Sequence, residues 1–392
     1  MSAPTVCPSC GSANLEALYH LEGIPAHSVL LMPTREAARA YPTGTLDLTV
    51  CRDCGFLTNT SFDPALNAYS SSYEETQGFS GVFQDFAQGL AKRWVDTYDL
   101  RGKRLLEIGC GKGEFLALMC EIGGNEGIGI DPAVAPERLD ESVRSRIDFR
   151  PELFSAEHAD LEADVIICRH TLEHIHPVAD FMRLIRSTVA GRPETLVLFE
   201  LPDVYRVLDE VAFWDVYYEH CSYFTTGSLA RLFRREGFDL LDLWTAFGDQ
   251  YILLEARPGD GSGPALDLEA DLAATVAAAR EFGAKAGPTL DRWRTTVRDL
   301  TAQGKSVVIW GAGSKGVAFL TTLGLGDEIT RAVDVNPYKQ SMFMPGTGTP
   351  VVSPESLVDD PPDAVIAMNS IYCDEIRADL DRLGIAATVI PT

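Results

Sequence analysis

Glu107-Ile108-Gly109-Cys110-Gly111-Lys112-Gly113 closes an apolar run that begins at Arg104. The run reads as a buried strand, and the GxGxG spacing breaks it into a turn. A helix pattern follows over Glu114–Ile122, and a second strand over Gly127–Asp131. Strand, glycine turn, helix, strand is how a doubly wound α/β sheet opens. Glycines at 109 and 111 let the backbone approach a ligand, because no Cβ stands in the way. Asp131 lies 18 residues beyond Gly113, at the tip of the second strand. An acid there accepts hydrogen bonds from ribose hydroxyls.

The alternation continues outward from this unit. Strands are expected at Val165–Cys168, Leu196–Glu200 and Tyr251–Glu255, with helices near Val178–Val189 and Ser228–Glu236, the latter capped by Thr226 or Ser228. Upstream, Phe83, Phe86, Leu90, Ala91 and Trp94 mark an amphipathic helix over residues 83–98. Downstream, Arg257–Pro264 has linker composition, followed by an alanine-rich helix broken near Gly287-Pro288. A second βαβ unit then starts at Ser306–Trp310, turns through Gly311-Ala312-Gly313-Ser314-Lys315-Gly316, and ends its second strand at Asp334. That GxGxxG loop reads alone as an NAD site. The helix N-terminus it presents holds any phosphate, and Lys315 adds a positive charge, so a diphosphate on a substrate fits equally well.

Ahead of both units stand two CxxCG turns, Cys7–Gly11 and Cys51–Gly55, separated by 40 residues that hold a short helix near Thr34–Ala40. Four thiolates, Cys7, Cys10, Cys51 and Cys54, suit a closed tetrahedral zinc site of the structural kind. The other five of the nine cysteines are scattered and cannot pair evenly, as in a reducing cytoplasm. With 33 basic and 57 acidic residues the net charge is −24, which repels a phosphate backbone and speaks against a nucleic-acid finger. Residues 1–6 carry no leader pattern, and no run approaches the ~20 apolar residues of a membrane span. A cytoplasmic protein with a small-molecule substrate is expected.

Phe213–Phe224 concentrates aromatic residues around Glu219 and His220. Were this segment extended, Tyr218 and His220 would face one way, and Tyr217 and Glu219 the other. An imidazole of pKa ~6.5 takes a proton near neutrality, and tyrosine hydroxyls can stabilise an enolate oxygen.

The first loop resembles motif I of class I S-adenosylmethionine-dependent methyltransferases, and Ala163–Ile175 resembles their fourth strand and following turn. In full order, the CxxC pair, GxGxG, Leu172-Glu173-His174-Ile175, Tyr217-Tyr218-Glu219-His220 and the C-terminal Asp334–Gln340 resemble the sugar C-methyltransferases, which act on nucleotide-linked 4-ketohexoses in antibiotic and cell-surface sugar pathways. The resemblance covers nearly the whole chain, while Met368–Tyr372 departs from the family's usual aromatic-rich strand end. It implies a zinc-binding domain (1–68), a methyltransferase domain (69–256) and a C-terminal Rossmann-like domain (257–392). It implies S-adenosylmethionine held by Glu107, Gly109, Gly111, Asp131, Arg169 and His170, and a nucleotide diphosphate near Lys315, Asn336 and Lys339. His220 would remove the proton next to a ketone, helped by Tyr217 and Glu219, with His174 and Tyr73 as further candidates. The alternatives are methyl transfer to another acceptor, an NAD-dependent oxidoreductase using the second loop, and a zinc-dependent binding module.

Overall fold

A computed structural model describes residues 6–67 and 73–392; the expected boundary at 68–69 and residues Tyr69–Ser72 lie outside the described residues. The chain opens with β1 (Leu15–Pro25), β2 (Thr43–Cys51) and β3 (Leu57–Asn59). Next come β4 (Arg104–Ile108), β5 (Glu126–Ile130), β6 (Ile147–Arg150), β7 (Val165–Arg169) and β8 (Leu196–Pro202). The short β9 (Ser222–Tyr223) precedes β10 (Phe238–Ala246) and β11 (Tyr251–Pro258). The chain ends with β12 (Val307–Trp310), β13 (Ala332–Val333), β14 (Val351–Val352), β15 (Ala364–Ala367) and β16 (Thr388–Pro391).

These strands form three sheets. The central one runs β10-β11-β8-β7-β4-β5-β6. Strands β4 to β8 are parallel, while β11 runs antiparallel to β8 and β10 antiparallel to β11. This is the doubly wound class I methyltransferase fold, whose order reverses between β4 and β7 and opens a ligand crevice at their carboxyl ends. The C-terminal sheet, β14-β13-β12-β15-β16, is wholly parallel and reverses between β12 and β15. The first sheet is antiparallel, β1-β2-β3-β9, and its fourth strand comes from far along the chain. Thus the segment after His220 pairs with the strand that follows the second CxxC turn.

Burial explains the elements. Leu105, Leu106 and Ile108 of β4 are all buried, as a parallel strand covered on both faces requires. The helix Gly81–Tyr98, capped by the Ser80 hydroxyl accepting from Phe83 N, buries Leu90, Ala91, Trp94 and Val95. The helix after β9 spans Thr226–Arg235, and its cap is Thr225, one residue before the expected pair: Thr225 Oγ1 accepts from Ser228 N at 3.2 Å while Ser228 Oγ accepts from Thr225 N at 2.9 Å. The expected break at Gly287-Pro288 does not occur. One helix runs Leu272–Ala302 with Pro288 inside, because Phe282, Ala286, Leu290, Trp293 and Val297 on either side are all buried. Packing of that stripe outweighs the roughly 3 kcal/mol a mid-helix proline costs.

Candidate active site

One cavity of about 580 Å³ receives the carboxyl ends of β4, β5, β7 and β8 from one side and of β12, β13 and β15 from the other. In its first wall Gly109, Gly111 and Gly113 have φ of 70, 53 and 86°, conformations that side chains rarely adopt. A Cβ on Gly109 would stand 2.0 Å from Thr171 Oγ1. Asp131 accepts from Gly111 N at 3.0 Å and from Ala133 N at 2.6 Å, so the acid and the loop form one unit as the spacing predicts.

Glu107, next to last in β4, lines the cavity with its Oε2 unpartnered among the described residues. Burial pushes its carboxyl up to about 8. Arg169 donates from Nε to Glu200 at 2.6 Å, lies over the Phe115 ring, and leaves Nη2 buried without a partner among the described residues. A buried acceptor and a buried donor, both on this cavity, suit the zwitterionic end of an amino-acid cofactor. S-adenosylmethionine therefore fits these residues.

His170, at a φ of 47°, bonds through Nε2 to the other Glu200 oxygen at 2.9 Å. Burial disfavours its charge, but the Glu200 and Glu173 carboxylates outweigh that and hold the imidazole at about 9. For Glu200 burial is overcome by Arg169 and His170, which hold it near 2. His170 contributes stability in full below its ordinary 6.5 and loses it as pH rises through about 9. Glu200 contributes in full above its ordinary 4.5 and loses that as pH falls through about 2. Glu200→Gln should cost about 3 kcal/mol in that window, from pH 4.5 to 6.5, and less by pH 9.5. Urea unfolding of both proteins across that range measures the difference; a flat profile would contradict the pairing.

The aromatic segment is not extended. A helical turn at Phe213–Asp215 and a tight turn at Tyr218-Glu219 reverse the expected facing. Tyr217 and His220 come together, hydroxyl to Nε2 at 3.0 Å, and both line the cavity. Tyr218 is turned away, its hydroxyl accepting from Asp63 N at 2.7 Å. Glu219 does not reach His220; its carboxylate accepts from Tyr73 OH at 2.8 Å, Ser28 N at 2.6 Å and His27 Nδ1 at 3.3 Å. Its carbonyl pairs with His174 Nδ1 at 3.2 Å. The His174 and His220 rings meet edge to face at 4.8 Å, and donor atoms of Glu173, His174 and His220 lie within 4.8 Å of one another. Burial first, then the neighbouring His174, His170 and Lys315 side chains, draws His220 well below the ordinary imidazole range. Its neutral form dominates at pH 7.

Across the cavity, Lys315 is already engaged, Nζ to Asp215 at 3.0 Å and to Gln250 at 3.2 Å, and Asp215 also binds Arg206. Two cations share that one carboxylate. Asn336 donates to Glu74 at 2.9 Å, and Lys339 lies 3.4 Å from Asp334, whose carboxylate also accepts from Ala312 N and Asn336 N, each at 2.9 Å. All three expected substrate residues therefore line the cavity with internal partners.

The four cysteines of the two turns gather as expected. Cys7–Cys54 and Cys10–Cys51 sulfurs are 3.7 and 3.5 Å apart, too far for disulfides. Zinc bonds of about 2.3 Å in a tetrahedron place sulfurs about 3.8 Å apart, so the set fits that ion.

Sequence reasoning did not single out Glu200, Asp215, Glu74 or His27. For Glu200 a signal existed, an acid closing the apolar run of β8; His27 sits in an irregular loop after β1 and gave none.

Residues 79–243 match the family described as methyltransferase domain, and residues 265–388 match the C-methyltransferase C-terminal domain. The chain is 28% identical over 355 residues to C-methyltransferase NovU of Streptomyces niveus, covering 84% of this chain and 81% of that protein. It is 30% identical over 103 residues to a ribosomal protein L11 methyltransferase of Yersinia pseudotuberculosis, covering 25% of this chain and 35% of that one. Among solved structures it is similar to the riboflavin-analogue dimethyltransferase RosA of Streptomyces davawensis (23% identity, 45% of this chain, 56% of that chain, TM-score 0.36). Magnesium protoporphyrin IX methyltransferase of Synechocystis, with bound S-adenosylhomocysteine, is similar at 16% identity over 45% of this chain and 84% of that one, TM-score 0.35. Such overlaps carry no argument of their own; the strand order does. Because the C-methyltransferase description reaches the second glycine loop, the oxidoreductase alternative gives way.

Proposed function

The chain belongs to the S-adenosylmethionine-dependent C-methyltransferases, and from that premise we propose that it methylates the carbon beside the ketone of a nucleotide-linked 4-keto deoxysugar. The observation that carries this reading is the single cavity. The cofactor loop, the Tyr217–His220 pair and the second glycine loop all open into it, so a cofactor, a reacting carbon and a phosphate-bearing handle have adjoining walls.

Bound S-adenosylmethionine would supply an electrophilic sulfonium methyl, whose C–S bond breaks as a carbanionic carbon bonds to it, S-adenosylhomocysteine leaving as the neutral thioether. It is held, on this reading, by the Gly109–Gly111 loop, Glu107, Asp131, Arg169 and His170. His220, kept neutral by burial, takes the proton from the carbon next to the ketone, and the C–H electron pair passes into an enolate. The imidazolium so formed lies beside the Glu173 carboxylate. Tyr217, whose hydroxyl burial holds well above its ordinary pKa, keeps its proton; with His220 Nε2–H donating to it, the imidazole retains a free lone pair and the Tyr217 O–H is left for the enolate oxygen. Tyr73 is fixed by Glu219, which acts from behind the cavity wall. The diphosphate is assigned to the second loop, where Lys315 pairs with Asp215 and Arg206 with Asp215 and Glu210, with Asn336 and Lys339 nearby.

The division into 1–68, 69–256 and 257–392 is retained in this proposal, with β9 lent to the first sheet. Zinc in the four-cysteine cluster is assigned a structural role, since four thiolates leave no open position. Gently purified protein should hold one zinc per chain; stripping it should lower the thermal midpoint by several degrees, read by calorimetry, and no change would contradict the assignment. Among the described residues no helix is long and apolar enough to cross a membrane.

Isothermal titration tests the acceptor. The chain should bind S-adenosylhomocysteine and, in its presence, a nucleoside diphosphate such as thymidine diphosphate. Binding of the first with silence toward every nucleoside diphosphate would remove the nucleotide from the acceptor while leaving methyl transfer in place.

A further inference from the structure

We propose that His27 is a positioning residue for the methyl-transfer site, acting through Glu219. Glu219 is fully buried, and its carboxylate is held by three donors. Two of these, His27 Nδ1 and Ser28 N, are consecutive residues of the loop after β1, so the first sheet's unit builds the back of the active-site wall. A carboxylate only accepts, which places the proton of His27 on Nδ1. His27 is itself buried and does not line the cavity, so it does not touch substrate.

Glu219 acts at two points. Its side chain fixes the Tyr73 hydroxyl, and its carbonyl is bonded to His174 Nδ1. His27 and Tyr73 share the same oxygen, Oε2, while Ser28 N holds Oε1. Losing His27 therefore takes a donor from the oxygen that also holds Tyr73, and a buried carboxylate short of donors turns or protonates. The pairing of Asn59 N and Thr58 Oγ1 with Cys221 O, at 3.0 and 2.8 Å, holds the other end of the same turn from the first sheet. Residues 217–221 are thus gripped from both sides by the zinc-knuckle unit.

This inference rests on the proposed reaction for its kinetic arm alone. His27→Leu and His27→Asn are compared with wild type, with zinc content and S-adenosylhomocysteine affinity as controls of folding. His27→Leu should lower kcat about 10-fold to 100-fold at nearly constant KM. It should also shift the ¹⁵N imidazole signals of His174. His27→Asn, whose amide N–H can donate to the same oxygen, should restore most of both. Unchanged His174 signals and kcat in a zinc-loaded, cofactor-binding His27→Leu protein would overturn the inference, as would equal impairment in His27→Asn. Should wild type turn over no keto-sugar nucleotide, the acceptor reading falls, and the histidine spectra alone still decide His27.

Discussion

His220→Asn lowers kcat for methyl transfer by about 10²- to 10⁴-fold while S-adenosylhomocysteine binds as tightly as to wild type. Both halves of this expectation come from where His220 stands. It lies on the cavity wall at 3.0 Å from the Tyr217 hydroxyl, outside the glycine loop proposed to hold the cofactor. Asparagine keeps a polar group of similar reach and can still bond Tyr217, but it has no lone pair basic enough to take a carbon-bound proton. The buried site should therefore stay folded, and the loss should appear in kcat and kcat/KM together, with KM little changed. Stopped turnover assays with nucleotide keto sugar, beside titration with S-adenosylhomocysteine, measure the two halves. Full activity in this variant would remove His220 from the proton transfer and turn attention to His174, whose ring stands 4.8 Å away.

The second large effect belongs to the glycine loop after β4, the proposed cofactor site. Gly109→Val should weaken S-adenosylhomocysteine binding by more than about 100-fold. The added Cβ would lie 2.0 Å from Thr171 Oγ1 and 2.8 Å from its methyl carbon, on a backbone with a φ of +70°. A β-branched residue pays about 1–3 kcal/mol for that conformation alone. The loop can relieve both only by moving, and its movement breaks the bond from Gly111 N to Asp131. Thr171 stands one residue beyond His170, so the disturbance reaches both carboxyl-end walls. Binding is read by calorimetry on protein whose circular dichroism matches wild type. Wild-type affinity in a folded Gly109→Val protein would mean the cofactor lies elsewhere.

Much of the central fold was legible because parallel strands are buried on both faces and announce themselves as apolar runs. Strands β4, β5, β7, β8 and β11 fell within a few residues of expectation, as did the two acids closing β5 and β13. β6 and β10 were not anticipated. Both carry mixed polar and apolar residues, Ile147-Asp148-Phe149-Arg150 and Phe238–Ala246, as edge strands do. Proline at 288 misled through a local rule that packing overrides.

The site was legible in its members and illegible in its pairings. His220, Tyr217, His174 and Tyr73 do gather, yet the turn at Tyr218-Glu219 inverts the facing that a strand would give. No periodicity in the sequence predicts a turn made by contacts to Asp63, Ser28 and His27, which lie more than 150 residues away. Lys315 was legible by its charge and Lys339 through the family resemblance, but neither signal reveals the partners, Asp215 and Asp334, that already engage them.

The most direct test is deuterium exchange at the carbon beside the ketone. A nucleotide 4-keto sugar is incubated in D₂O with enzyme and S-adenosylhomocysteine, which permits deprotonation and forbids methyl transfer. The account predicts deuterium at that carbon with wild type and at least 100-fold slower exchange with His220→Asn. Methyl transfer by wild type with no exchange, or equal exchange in both proteins, would contradict it.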